Sequence, residues 1–121
     1  MSLKKNKASS SEYYIMNEHK ECIPCDNILT WGNALKGDRT VKKEIIKERK
    51  LFRKNDVVIS TVFLGINHNF GLDRDNHPLL FETMVFGGKH NDLCQRYETY
   101  NEAVNGHERV KKYVTGQINR L

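Results

Sequence analysis

The sequence predicts an α+β domain: a small antiparallel β-sheet with a central hairpin, a short N-terminal helix, and a C-terminal helix packed on one face. Three observations predict it. Two β-branched and aromatic runs, Val57 to Ile66 and Leu79 to Phe86, flank a polar loop and read as a hairpin. A capping box, Thr99 with Glu102, opens a helical stripe near the C-terminus. The chain has 121 residues, one domain's worth, with no internal repeat.

Taken in order, residues 1–12 form a basic tail expected to be disordered, with no apolar segment of the kind a secretory signal needs. Residues 13–121 make the single domain. Tyr13 to Met16 is β-prone, Asn17 to Lys20 is a turn, and Glu21 to Pro24 pairs back as a second short strand. Asp26 is the expected N-cap of a short helix carrying Ile28, Leu29, Trp31 and Leu35, ended by Gly37 and Asp38. Thr40 to Lys54 is ambiguous. Val41, Ile45, Glu48 and Phe52 share a helical face, while Val41 and Ile45 also share a strand face. A strand from near Arg39 with an exposed basic extension is the favoured reading, with a turn at Lys54 to Asp56.

Val57 to Ile66 is the strongest strand. It is apolar on both faces apart from Ser60 and Thr61, which predicts cover on both sides. The polar loop from Asn67 to Pro78 is long enough to be functional or mobile. In the partner strand, Leu79, Phe81, Thr83 and Val85 face one way and Leu80, Glu82, Met84 and Phe86 the other. Gly87 and Gly88 end it, and Leu93 to Thr99 is the last strand. The final helix runs to about Ile118 on a stripe of Ala103, His107, Val110, Val114 and Ile118. Gly106 costs that helix about 1 kcal/mol against Ala, which implies close packing on the sheet.

Composition bounds the function. Hydrophobic residues make up 38% and charged residues 29%, a thin core for so small a chain, so self-association is expected. No run of apolar residues is long enough to span a membrane. Three cysteines, an odd number, argue against a disulfide framework and for a reducing, cytoplasmic setting. The net charge of +5 equals the excess in Lys42 to Lys54, where seven cations meet Glu44 and Glu48. That segment is either a solvated face or a landing surface for phosphates, as in a nucleic-acid-associated accessory protein.

Glu82 needs a partner among Leu80, Met84 and Phe86. His68, Arg96 and His107 are the candidates, and a structural network is the plainer reading of the four. If they converge, His68, Glu82 and His107 make a candidate catalytic set for a small hydrolase or nucleotide-processing enzyme. Other motifs are weak. Cys22 and Cys25 form C-x-x-C without a βαβ frame. With Cys94 they lack a second metal pair. Asp73, Asp75 and Asn76 fail the calcium-loop spacing. Ser60 and Thr61 have no nucleophile elbow, and Gly87-Gly88-Lys89 is too short for a phosphate loop. No metal and no cofactor is expected.

The string Ile59-Ser-Thr-Val-Phe-Leu-Gly65, then His68, Pro78-Leu-Leu-Phe-Glu-Thr-Met-Val-Phe86, Arg96-Tyr97, Glu102-Ala103 and Gly106-His107 resembles a family of small phage and prophage proteins. The likeness covers roughly residues 13 to 114, extending upstream through Tyr14, Pro24-Cys25-Asp26 and Trp31. The basic stretch from Lys47 to Asn55 departs from the family's more compact pattern. In size and class the chain is similar to anti-Thoeris sponges for cyclic ADP-ribose derivatives. The resemblance implies a non-enzymatic, homo-oligomeric counter-defence protein that sequesters a nucleotide-like signal or a host protein. In a sponge, Phe81 or Phe86 would stack on a base, with core packing the plainer reading of each Phe. Asn91 would read the base edge, Arg96 or Arg109 would hold phosphates, and Glu82 and His107 would lie at the ligand.

Overall fold

Two antiparallel sheets and two helices make up the computed structural model, which describes residues 12–50, 53–69 and 77–121. Strands β1 (Tyr14–Met16) and β2 (Cys22–Pro24) pair in register Tyr14 to Pro24. Helix α1 spans Ile28–Ala34. Strands β3 (Thr40–Lys50), β4 (Arg53–Phe63), β5 (Phe81–Phe86) and β6 (Cys94–Tyr97) form the main sheet, each beside its neighbours in sequence. Helix α2 (Tyr100–Val114) lies across one face of it. The α+β class and the central hairpin read from the sequence are what the chain adopts, with Val58 opposite Phe86 and Phe63 opposite Phe81.

The inner face is built by alternation. Val57, Ile59, Thr61 and Phe63 of β4, and Phe81, Thr83 and Val85 of β5, are buried in turn, because period-two strands send every second side chain to the same side. They meet Ala103, Gly106, His107 and Val110 of α2. The capping box forms as the sequence predicts: the Glu102 N–H donates to Thr99 Oγ1 at 3.1 Å, and Glu102 Oε1 accepts from the Thr99 N–H at 3.2 Å. The small sheet is tied to the large one by the Tyr14 N–H donating to the Gly65 carbonyl at 2.9 Å. The same carbonyl accepts Trp31 Nε1–H at 2.9 Å. Gly65 holds φ +77°, and a Cβ there would sit 3.0 Å from both Leu35 methyls. The chain therefore needs glycine at this crossing.

Several expectations are corrected. The N-cap of α1 is Asn27, not Asp26: Asn27 Oδ1 accepts from Leu29 and Thr30. That helix ends at Ala34, before Gly37, and α2 ends at Val114 rather than Ile118. Lys54 to Asp56 is strand, paired with Arg49 to Lys47, where the sequence reading expected a turn. Val41 and Ile45 lie on opposite faces, because a register shift between Thr40 and Lys42 changes the alternation. Val41 packs on the core while Ile45 is 57% exposed. Strand β4 is covered on one side. On the other side Ile45, Val58 and Phe86 form a cross-strand row, and Phe86 is 47% exposed. No described helix covers that row; continuous apolar sequence reflected a half-open sheet, not a sandwich. The tail as far as Ser11, together with Asp73, Asp75 and Asn76 of the long loop, lies outside the described residues.

Candidate functional site

The sheet separates the residues expected to converge. Thr83 faces helix α2 and is linked through Thr61 to His107 on it, so Glu82, one residue along β5, faces the opposite side. There Glu82 Oε2 accepts from Arg96 Nε at 3.0 Å and from Cys94 Sγ at 3.3 Å. Burial first, and the carboxylate beside it second, push the Cys94 thiol up. His68 stands at the end of the β4 run, its Nδ1–H donating to the Ile66 carbonyl at 2.9 Å. His68, Glu82 and His107 thus occupy three places rather than one. Phe81 is fully buried between the rings of Phe63 and Tyr100. Phe86 lies on the open sheet face, and Asn91 closes the turn after β5 by accepting the Gly87 N–H at 2.7 Å.

His107 belongs instead to a buried row. Tyr97 Oη donates to Thr83 Oγ1 at 3.1 Å, and Thr83 Oγ1 lies 2.5 Å from Thr61 Oγ1. Thr61 Oγ1 lies 2.7 Å from His107 Nδ1, and His107 Nε2 lies 2.8 Å from Glu44 Oε1. A carboxylate only accepts, so Nε2 carries the proton; in the neutral ring Nδ1 then accepts from Thr61. Lys111 Nζ donates to the other Glu44 oxygen at 2.8 Å. That hydrogen bond, above all, holds the Glu44 carboxyl below the usual range. Lys42 pairs with Glu108 beside it. Thr61, Thr83 and His107 are at most 1% exposed, and no buried side-chain polar atom among the described residues lacks a partner. Threonine, histidine and glutamate in sequence look like a nucleophilic triad, but no reacting atom reaches Thr61.

Sequence reasoning missed this row. Its signal was present: Thr83 sits among inward apolar residues, His107 lies on the inward helical stripe, and Lys111 follows four residues later on the same face. Glu44, His107 and Glu108 place their donor atoms within 4.8 Å of one another. Lys111 and Lys42 already answer both carboxylates, so a cation there would have to displace two ammonium groups. Cys22, Cys25 and Cys94 form no such group among the described residues. Burial first, then Glu98, pushes the Cys22 thiol up to about 11, which leaves it protonated and unreactive at neutral pH.

Two sequence-chosen residues do come together. Arg96 from β6 and Arg109 from α2 line one open groove of about 510 Å³ with His77, Tyr97, Glu98 and Asn105. Strand β6 turns directly into α2 at Glu98 and Thr99, so the two arginines flank a single corner of the chain. His77 Nδ1 lies 3.2 Å from Glu98 Oε1, and Arg96 is held by Glu82. Glu102 is spent on the helix cap. Arg109 is exposed and has no carboxylate partner among the described residues. Burial raises the Tyr97 phenol, while Thr83 and Arg109 act against that rise.

Glu98 also lines a second hollow of about 350 Å³, with Tyr14, Leu80 and Tyr100 among its walls and Lys20 at its rim. Lys20 holds φ +65° and sets its ammonium 5.5 Å from the Tyr100 ring centre. A basic groove and an aromatic-walled hollow therefore adjoin across Glu98, with volumes in the range of small-molecule sites. No protein family matches the sequence, and no curated protein or solved structure matches it either. No described helix is long and apolar enough to cross a membrane.

Proposed function

We propose that this chain is a non-enzymatic binding protein that captures a phosphate-bearing, nucleotide-like small molecule in the groove between β6 and α2. The observation that carries the reading is the meeting of Arg96 and Arg109, from two elements, in one open groove. Arginine is the side chain suited to phosphate by its planar fork of donors. Arg109 carries a positive charge that no described carboxylate answers, and the adjoining hollow offers Tyr100 and Leu80 to a ring. The set differs from the one expected from sequence. Arg96 and Arg109 stay in it, while Phe81 and His107 serve the core. A hydrolytic reading draws no support from His68, Glu82 and His107, which stand apart.

The likeness to small phage proteins supports a role in disarming a host defence from within the host cytoplasm. The open sheet face, with Ile45 and Phe86 exposed, supports a homo-oligomer. Native mass spectrometry and calorimetry with pyrophosphate, cyclic dinucleotides and cyclic ADP-ribose isomers test the capture. One ligand should be retained and released with its mass unchanged, and Arg109→Ala should weaken it about tenfold or more. Retention of none of them, or an unaffected Arg109→Ala variant, overturns the reading. Conversion of the ligand would favour the enzyme instead.

A further inference from the structure

Tyr14 is a core tyrosine whose hydroxyl the fold does not use. The residue is 4% exposed, and its backbone N–H ties the small sheet to Gly65. Its hydroxyl hydrogen-bonds none of the described residues. No sealed side-chain polar atom among them lacks a partner, so this hydroxyl is not sealed in. Its remaining exposure opens into the hollow of about 350 Å³ that Tyr14 lines. Cys22 and Glu98, two further walls of that hollow, lie close enough to act on the phenol electrostatically. Burial first, and those groups after it, push the phenol up, so at neutral pH it stays a hydrogen-bond donor.

The other walls set an acceptor and a flat face beside that donor. Glu98 spends one carboxylate oxygen on His77 Nδ1, 3.2 Å away, which leaves the second to a ligand. Leu80 and Pro78 are apolar. The Lys20 ammonium stands 5.5 Å from the Tyr100 ring centre, which marks a ring face open on the hollow side. Lys20 is exposed, so its long side chain can yield that face to a planar ring. We propose, resting on the capture reading above, that this hollow is a nucleobase site. It takes a heteroaromatic ring by an edge that sets an N–H donor beside a ring acceptor, as the amino group and ring nitrogen of adenine do. Tyr14 Oη donates to the ring nitrogen, and Glu98 accepts from the amino group.

A phenol beside a carboxylate is the complement of that edge. The amino group donates and the unprotonated ring nitrogen accepts, so both wall groups are satisfied at once. Tyr100 supplies the stacking face that any base can use. A mostly apolar hollow with two convergent polar groups is the form small-molecule sites take. A phosphate suits this hollow poorly. Glu21 and Glu98 set two carboxylates in its walls, and the Glu98 and Thr99 N–H groups already donate to Glu102. The arginine groove lies on the other side of Glu98. The ring and the phosphate of one ligand therefore take two hollows that share a wall.

Amide NMR titrations of the full chain test this with phosphate-free probes: adenosine, purine riboside, which lacks the amino group, and 1-deazaadenosine, which lacks the ring acceptor. Adenosine should shift the amides of Cys22, Leu80, Glu98 and Tyr100 together. Each analogue should bind at least about fivefold more weakly, because it leaves one wall group unpaired. Tyr14→Phe should weaken adenosine by a similar factor and leave 1-deazaadenosine at the parent's level. Its melting should match the parent, since the lost hydroxyl bonds no described residue. Glu98→Ala should weaken adenosine and leave purine riboside unchanged. No shift with adenosine, analogues that bind as adenosine does, or a Tyr14→Phe variant that binds it undiminished overturns the proposal. Pyrophosphate separates that failure from failure of the capture reading. It reports the arginine groove through Arg109→Ala, and Tyr14→Phe should leave its binding unchanged.

Discussion

Gly106 shows what a single missing atom permits. A Cβ there would fall 2.1 Å from Tyr97 Cε1 and 2.4 Å from its hydroxyl oxygen. Tyr97 cannot step aside without losing its bond to Thr83. Gly106→Ala should therefore destabilise the fold by about 1–3 kcal/mol despite alanine's better helix propensity. Urea unfolding should show this loss shrink or vanish in a Tyr97→Ala background, where the contact is gone. Thr61→Val keeps shape but strips His107 Nδ1 of its donor and Thr83 of its acceptor. A cost of about 1–3 kcal/mol is expected from leaving those buried groups unpaired. Glu44 makes a pH prediction with a definite sign. Its folded carboxyl is held below the ordinary 4.5, chiefly by Lys111. The stability it adds is complete above the unfolded value and lost as pH falls through the folded one. Thermal melts from neutral to pH 3 should thus decline less steeply in Glu44→Gln than in the parent, about half a dozen points sufficing to compare the slopes.

At the scale of elements, legibility followed local chemistry. Helix α2 announced itself through Thr99, Glu102 and the spacing of Ala103, His107 and Val110, because caps and stripes are written in neighbouring residues. The β4–β5 pairing was legible for the same reason. Strand β3 was half legible: the shift at Val41 changes which side each later residue occupies, and a bulge leaves little mark in composition. The first helix was placed one residue early because Asp26 and Asn27 are both good caps, and it is Asn27 whose side chain accepts from the Leu29 and Thr30 N–H groups. Asn27→Ala should cost about 1 kcal/mol and loosen the Trp31 indole from the Gly65 carbonyl, visible as a change in tryptophan fluorescence. Of the candidate site, Arg96 and Arg109 could be named but not joined. Their meeting depends on the corner at Glu98, whereas Glu82 and His107 were parted by simple alternation.

Across the whole molecule, the buried row has a consequence of its own. It draws one side chain from each strand of the main sheet, Tyr97, Thr83, Thr61 and Glu44, with His107 bridging the last step. With the ring neutral, each hydroxyl gives its hydrogen toward Glu44: Tyr97 to Thr83, Thr83 to Thr61, and Thr61 to the ring. Such a line has two self-consistent settings, like a zip that closes from either end. A second proton on the imidazole would demand the other setting: Thr61 must accept, Thr83 must accept from Thr61, and Tyr97 must accept from Thr83. The phenolic hydrogen would then have to leave Thr83 for an acceptor outside the row. The direction of the row at its Glu44 end is thereby tied to the hydroxyl of Tyr97, a wall of the groove.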